Sequence, residues 1–513
     1  MSFSKAISVV VMFSLFFCAN ASIKAEPTQT NTVNISASFE FQNLDLSRYG
    51  YVFTRMQVVE TLLNIDRQGN LLPGLATDWQ ILEEGTHWRL SLRDGVVFHN
   101  DKTLTAAAVV KALHNAVKHA SVWRNVPVRV ISSESDQYID IFLNSPYQPL
   151  GAILAHHSSG IIDTESYDQE SIETQLIGTG PYSAYKINPP YRLVVKKFDR
   201  YWGKKAAIPY ARYLTGLRTE ARMLQARSGK SDIIFDLDPI IIGTLQRQPN
   251  LNIMRSELPR TVAIKLNAEH PYLKDIKTRQ ALSLAIDRQG IAIAILRTPQ
   301  SASAQLLPPS MGNWYLPETS MQQDMAKAGE LLAQQGWKKN RDGWLEKNEV
   351  RFEIDMLTYH LRPELAEVAT VIQDQWKQLG IKLNIEIKHY SAIPIAHSNG
   401  SLETALISRS YGVIADPLTV LIDDFSTLQG SDWGSMNWAN TNVQTLLKSL
   451  VTELDPIVYK QKAQQIAQVI YNEKPVIPIA YYVQQTAVSK RLNGFRFDPY
   501  ERSYYLNELT WAQ

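Results

Sequence analysis

Residues 352–388, "FEIDMLTYHLRPELAEVATVIQDQWKQLGIKLNIEIK", read as a strand, a helix and a second strand. Phe352, Ile354 and Met356 alternate with polar neighbours, and Leu383, Ile385 and Ile387 do the same, which is the period of a half-buried strand. Between them Leu365, Val368, Ile372, Trp376 and Leu379 fall three or four apart, one apolar stripe on a helix. Pro363 suits the first helical position and Gly380 the position just past the last. Strands joined through a helix run parallel, so the stretch is a βαβ unit and predicts an α/β fold with a parallel or mixed sheet and helices on its faces. Such sheets bind ligands at their strand ends, often between two domains. Outside this unit, "TVAIKLN" at 261–267 alternates as a further strand.

The chain has 513 residues, 45% of them hydrophobic and 20% charged, enough for a large core and, at roughly 150 residues per domain, for two or three domains. Residues 1–25 differ from the rest. Lys5 precedes an apolar run from Ala6 to Cys18, and no acidic residue occurs before Glu26. This predicts a secretory signal peptide, its apolar run shorter than the roughly 20 residues a membrane span needs, with cleavage after Ala21 or after Ala25. The other reading is a buried N-terminal helix. Cys18 is the only cysteine, and Phe16 and Phe17 stand where a lipid-anchor site wants a small residue, so a soluble, unanchored, periplasmic mature protein without thiol chemistry is expected. Loss of Lys5 and Lys24 takes the formal net charge from +2 to 0, leaving no basic excess for nucleic acid or a membrane surface.

Enzyme motifs are missing. The ten histidines form no His-Glu-x-x-His pattern. Gly229-Lys230-Ser231 lacks the earlier glycine of a phosphate-binding loop, Leu224 standing in its place. "IGTGPY" lacks the third glycine of a dinucleotide fingerprint, and there is no Gly-x-Ser-x-Gly elbow. Catalytic residues assembled only in three dimensions stay open at this point.

"GNLLPGLATDWQILEEGTHWRLSLRDGVVFHNDKTLTAAAVVKAL" (69–113) resembles the extracytoplasmic solute-binding proteins of family 5, the peptide and nickel class that serves ABC importers. The usual acidic residue after the Thr-Ala pair is here Ala107. The likeness recurs in order in "GTGPYSAYK" at 178, "YWGKKAAIPYARYL" at 201, "SGKSDIIFD" at 228, "TRQALSLAIDRQGI" at 278 and "NWANTNVQTLL" at 437. It implies a type II periplasmic binding protein with two lobes: residues 26–258 with 480–513, carrying an extra subdomain over about 61–177, and residues 259–479. The chain would cross between lobes near 256–262 and 478–482. A monomer without catalysis or cofactor, delivering its ligand to permease subunits, is the implied function. Gly95 and Gly180 are then expected to be turn residues.

The ligand is read from "SRSYGVIADPLT" at 408–419. In the family's peptide binders an aspartate three residues after a loop aromatic pairs with the peptide's amino terminus; here the aromatic is Tyr411 and the third residue on is Ile414. The register of Arg409, Tyr411, Gly412 and Asp416-Pro417 resembles instead the nickel branch, with Tyr for Trp. The resemblance implies Arg409 as a holder of chelate carboxylates, the alternative being an internal salt bridge, and Tyr411 and Trp123 as aromatic walls, the alternative for Trp123 being the core. Asp416 reads as a turn former. The branch's carboxylate-holding arginine falls near Ser159, and the adjacent His156 and His157 are candidates to compensate as metal ligands or hydrogen-bond donors. Tyr51 and Arg55 lie where the first ligand loop falls, in "RYGYVFTR", which also reads as an amphipathic helix start. The expected ligand is a nickel-type metal chelate. A short peptide held in a non-standard way is the alternative within the class, and an exported hydrolase the alternative outside it.

Overall fold

The computed structural model describes residues 26–168, 173–215, 218–317 and 320–512. The expected signal peptide, 1–25, lies outside the described residues. Ten strands form the main sheet: β1 (Thr32–Ser36), β2 (Tyr182–Asn188), β3 (Arg192–Lys197), β4 (Tyr210–Leu214), β5 (Ile233–Ile234), β6 (Leu251–Leu266), β7 (Glu353–Tyr359), β8 (Lys382–Lys388), β9 (Thr404–Ser410) and β10 (Val476–Ser489). Their order is β8-β7-β9-β6-β10-β5-β1-β4-β3-β2. The helices that matter below are α1 (Leu46–Arg55), α2 (Ala106–His119), α3 (Met325–Gln334), α4 (Pro363–Leu379) and α5 (Leu418–Phe425).

The βαβ reading of 352–388 matches the structure closely. β7 and β8 pair in parallel, α4 starts at Pro363, and Gly380 ends it with φ of 94°. The long strands β6 and β10 pair antiparallel along almost their whole length and join the two halves of the sheet. Their register breaks between Glu257 and Thr261, opposite Val483 and Tyr481, where a few residues bulge out of the ladder. Residues 76–143 add a separate four-stranded antiparallel sheet, with α2 packed against it.

Of the two glycines expected in turns, Gly95 has φ of 71°. Gly180 has no such backbone. A Cβ there would lie 2.1 Å from the Gln57 carbonyl oxygen, so its role is close packing of two chain segments. No helix among the described residues is long and apolar enough to cross a membrane.

Candidate functional site

A cavity of about 280 Å³ opens between α1, the 152–157 segment, the loop after β9, the bulge of β6 and the C-terminal 500–502 turn. Four of the residues singled out from sequence line it: Tyr51, Arg55, His156 and His157. α1 brings the first two. Asp45 caps the helix by accepting from the Ser47 backbone N–H, and Gly50 lets it approach the histidine segment, since a Cβ there would lie 3.0 Å from the His157 carbonyl oxygen. Tyr51 donates its hydroxyl to the Glu40 carbonyl oxygen at 2.7 Å and meets the His157 ring edge-on at 5.8 Å. The Arg55 guanidinium stands 5.3 Å from the Phe39 ring and 5.2 Å from the Tyr51 ring, a cation beside two rings that meet edge-on.

The two imidazoles lie against each other, tilted by 39° with centroids 3.8 Å apart. Burial pushes His156 down to about 4, and burial, helped by the neighbouring His156 and Arg55, holds His157 well below the ordinary imidazole range, so both rings are neutral near pH 7. Nδ1 of His156 accepts from the Ser158 backbone N–H at 3.3 Å, with the Ser158 hydroxyl at 2.8 Å. Nε2 then carries the ring proton and is a donor. If Nδ1 instead donates to the Ser158 hydroxyl, Nε2 is left with a lone pair for a metal.

Three arginines line this cavity, Arg55, Arg260 and Arg502, against one carboxylate, Glu501. That carboxylate is already engaged. Its Oε1 accepts from Arg55 at 3.3 Å and its Oε2 from Arg260 at 3.2 Å. Arg502 donates to the Ile65 carbonyl oxygen at 2.6 Å and pairs with Asp498 at 3.2 Å. Phe39 and the largely buried Tyr500 complete the aromatic lining. Past Phe39 a second, more polar cavity of about 560 Å³ continues between Arg222 and Asp236 on one side and Arg362 and Glu364 on the other.

Arg409, Tyr411 and Trp123, expected at the ligand, do not line either cavity. The loop that holds Arg409 and Tyr411 does: Ser410, Gly412, Val413, Ile414 and Ala415 form one wall. β9 ends at Ser410, and Arg409 and Tyr411 turn into the protein on either side of it. Arg409 forks onto Asp424 of α5 at 3.0 and 2.7 Å. Tyr411 is 1% exposed within the core. Trp123, also 1% exposed, donates its Nε1–H to the Ser159 hydroxyl at 2.9 Å, and that hydroxyl in turn donates to the Ile153 carbonyl oxygen at 2.7 Å. The position where an arginine was sought thus holds a buried serine that ties down a tryptophan. Asp416 accepts from the Leu418 backbone N–H and the Tyr459 hydroxyl, both at 2.7 Å, as a turn former does.

Sequence reasoning missed Phe39, Arg260, Tyr500, Glu501 and Arg502. Arg260 carried a faint signal, a charged residue inside the strand-like "LPRTVAIKL" beside the expected crossing. The 500–502 turn reaches the site only through tertiary contacts, and no local pattern announces that. Among the described residues no group of three or more His, Cys, Asp or Glu side chains converges as a metal site.

Comparison with known proteins gives the architecture a family. The chain is 22% identical to the dipeptide-binding protein of Escherichia coli, over 85% of this chain and 86% of the relative. It is 25% identical to the nickel-binding protein NikA of Staphylococcus aureus, over 89% of each. The crystal structure of that NikA in complex with Ni(L-His)2 superposes with a TM-score of 0.76 at 22% identity, covering 94% of this chain and 100% of the other. NikA of Brucella suis in complex with Fe(III)-EDTA superposes at 0.84 with 18% identity, covering 93% of this chain and 100% of the other. These likenesses concern the fold. Residues 70–432 match the model of the bacterial extracellular solute-binding proteins, family 5, and the chain belongs to that family.

Proposed function

We propose that this chain is an exported, monomeric, non-catalytic carrier that captures a small carboxylate-rich solute, a nickel-type metal chelate, between two lobes and releases it to the permease of an ABC importer. In this reading residues 1–25 are removed as a signal, lobe I comprises 26–258 and 480–513 with its subdomain over about 61–177, and lobe II comprises 259–479. Tyr51, Arg55, His156 and His157 touch the ligand together with Arg260 and Tyr500, while Trp123, Arg409 and Tyr411 hold the walls in place from behind.

The observation that carries the reading is the charge of the cavity lining: three guanidinium groups, two neutral imidazoles, and a single carboxylate already shared by two of the arginines. An anion finds donors on several sides. A peptide's ammonium group finds no free carboxylate, and Ile414, where a peptide binder would carry one, presents only hydrocarbon. Leaving that ammonium buried without a partner costs several kcal/mol.

Titration calorimetry with nickel(II)–L-histidine, nickel alone, L-histidine alone and a panel of di- and tripeptides tests this. The chelate is expected to bind at one equivalent and more tightly than any other member of the set. His156→Gln or His157→Gln is expected to weaken the metal-loaded chelate more than the metal-free chelator. Binding of peptides alone, or recovery of a metal-free peptide with protein purified from its own periplasm, would sink the chelate reading.

A further inference from the structure

Glu501 is the one lining residue of the 280 Å³ cavity whose charge opposes the rest of it. Its carboxylate gives one oxygen to Arg55 and the other to Arg260, the bridging arrangement that a free carboxylate placed between two guanidinium groups would take. We propose that Glu501 is an internal stand-in for the ligand's carboxylate: it occupies Arg55 and Arg260 while the cleft is empty and is displaced when a carboxylate-bearing solute enters. The proposal rests on the reading of the cleft as an anion site, and it names a competitor that any such solute must replace.

Further observations support it. The grip is loose. Its contacts of 3.3 and 3.2 Å exceed the roughly 2.7–2.9 Å of well-formed charged pairs, whereas the Arg409–Asp424 pair elsewhere in the chain closes to 2.7 Å. The Glu501 side chain also keeps 21% of its surface exposed, so it has somewhere to go.

The turn that carries Glu501 does not depend on its carboxylate. Asp498 accepts from the Tyr500 and Arg502 backbone N–H groups at 3.0 and 3.3 Å, and the Glu501 backbone N–H donates to the Asp498 carbonyl oxygen at 2.8 Å. Arg55 donates Nε–H to the Glu501 carbonyl oxygen at 2.6 Å, a bond that survives when the side chain swings out. Glu501 itself has φ of 55°, a left-handed backbone that glycine or asparagine adopts more readily than glutamate. Finally, Arg260 lies in the register break between β6 and β10, so exchanging one carboxylate for another there acts on the segment that joins the two halves of the sheet.

Two variants of the full mature chain test the proposal. Glu501→Gly removes the carboxylate at a backbone position that suits glycine, and Glu501→Gln keeps the shape without the charge. Acetate should raise the melting temperature of Glu501→Gly well above any effect on the parent, by filling the vacated place, and sodium chloride at equal ionic strength should not. In calorimetry, Glu501→Gln should bind nickel(II)–L-histidine or Fe(III)-EDTA roughly five- to tenfold more tightly than the parent, because the fraction of sites free to bind rises. No acetate effect beyond the parent's, or chelate binding by Glu501→Gln that is unchanged or weaker, overturns the stand-in and leaves Glu501 as a group that merely orients its arginines. If the parent binds neither chelate while Glu501→Gly still takes acetate, the substrate reading fails and the stand-in survives.

Discussion

Arg409 shows how one side chain can carry a family's signature while its polar atoms are spent inside the protein. Its guanidinium forks onto Asp424, whose side chain is fully buried and also accepts from the Ser431 hydroxyl. Truncating the arginine strands that carboxylate. Arg409→Ala is therefore expected to cost about 3–5 kcal/mol of unfolding free energy, the range for breaking a buried pair from one side. Arg409→Met combined with Asp424→Leu should recover much of that, because no charge is then left behind. Urea titration of the two variants measures both; an Arg409→Ala protein of parental stability that has lost its ligand would instead put the guanidinium in the cleft. The site was legible in part. Tyr51, Arg55, His156 and His157 sit on local segments whose order in the chain is enough to bring them to the cleft, and all four line it. Arg260, Tyr500 and Glu501 meet there through contacts separated by some 240 residues of chain, which no spacing encodes. Between residues 409 and 412 the deciding variable was which side chains face the cavity and which turn into the core, and an aromatic beside an arginine looks the same in sequence either way.

At the level of elements, the stretch that identified the fold did so because its punctuation is physical. Pro363 fits only the first turn of a helix, and Gly380 takes the left-handed conformation that ends one, so α4 and its flanking strands fall where the sequence puts them. Gly380 is also hemmed in, since a Cβ would lie 2.5 Å from the Gly343 carbonyl oxygen. Gly329, inside α3, has open space around its missing Cβ and no left-handed backbone. The same substitution should act in opposite directions at the two places. Gly329→Ala should stabilise the protein by about 0.4–1 kcal/mol, and Gly380→Ala should destabilise it by more than about 1 kcal/mol. Thermal melts of both variants check the pair, and two shifts of the same sign would contradict the backbone argument. Less was legible in β6 and β10. Alternation at 261–267 announces only the end of β6, β10 is apolar on both faces over most of its length, and the break at 257–261 depends on how two strands distant in sequence pair, so only the resemblance placed a crossing there.

For the molecule as a whole, the two lobes proposed above would be closed on each other by the contacts present. The Gln148 backbone N–H, on the subdomain side, donates to the Val451 carbonyl oxygen at 2.8 Å, and Arg260 reaches Glu501 across the bulge. Residues from 62 to 161 and from 411 to 476 share one apolar core in this state, with Trp123 and Tyr411 both in it. If the two lobes hinge at the β6–β10 break, opening must separate part of that core, and a ligand bound between the lobes offsets the cost. The free protein should therefore scatter X-rays with a larger radius of gyration than the closed arrangement has, and saturating nickel(II)–L-histidine should bring the two into agreement. The same ligand at a hundredfold excess over its Kd should add about 2.7 kcal/mol to the unfolding free energy and raise the melting temperature accordingly. Scattering and melting must move together, because one binding event drives both. A solute that raises the melting temperature while the radius stays at its open value binds to one lobe alone, and that result would remove the cleft as the ligand site.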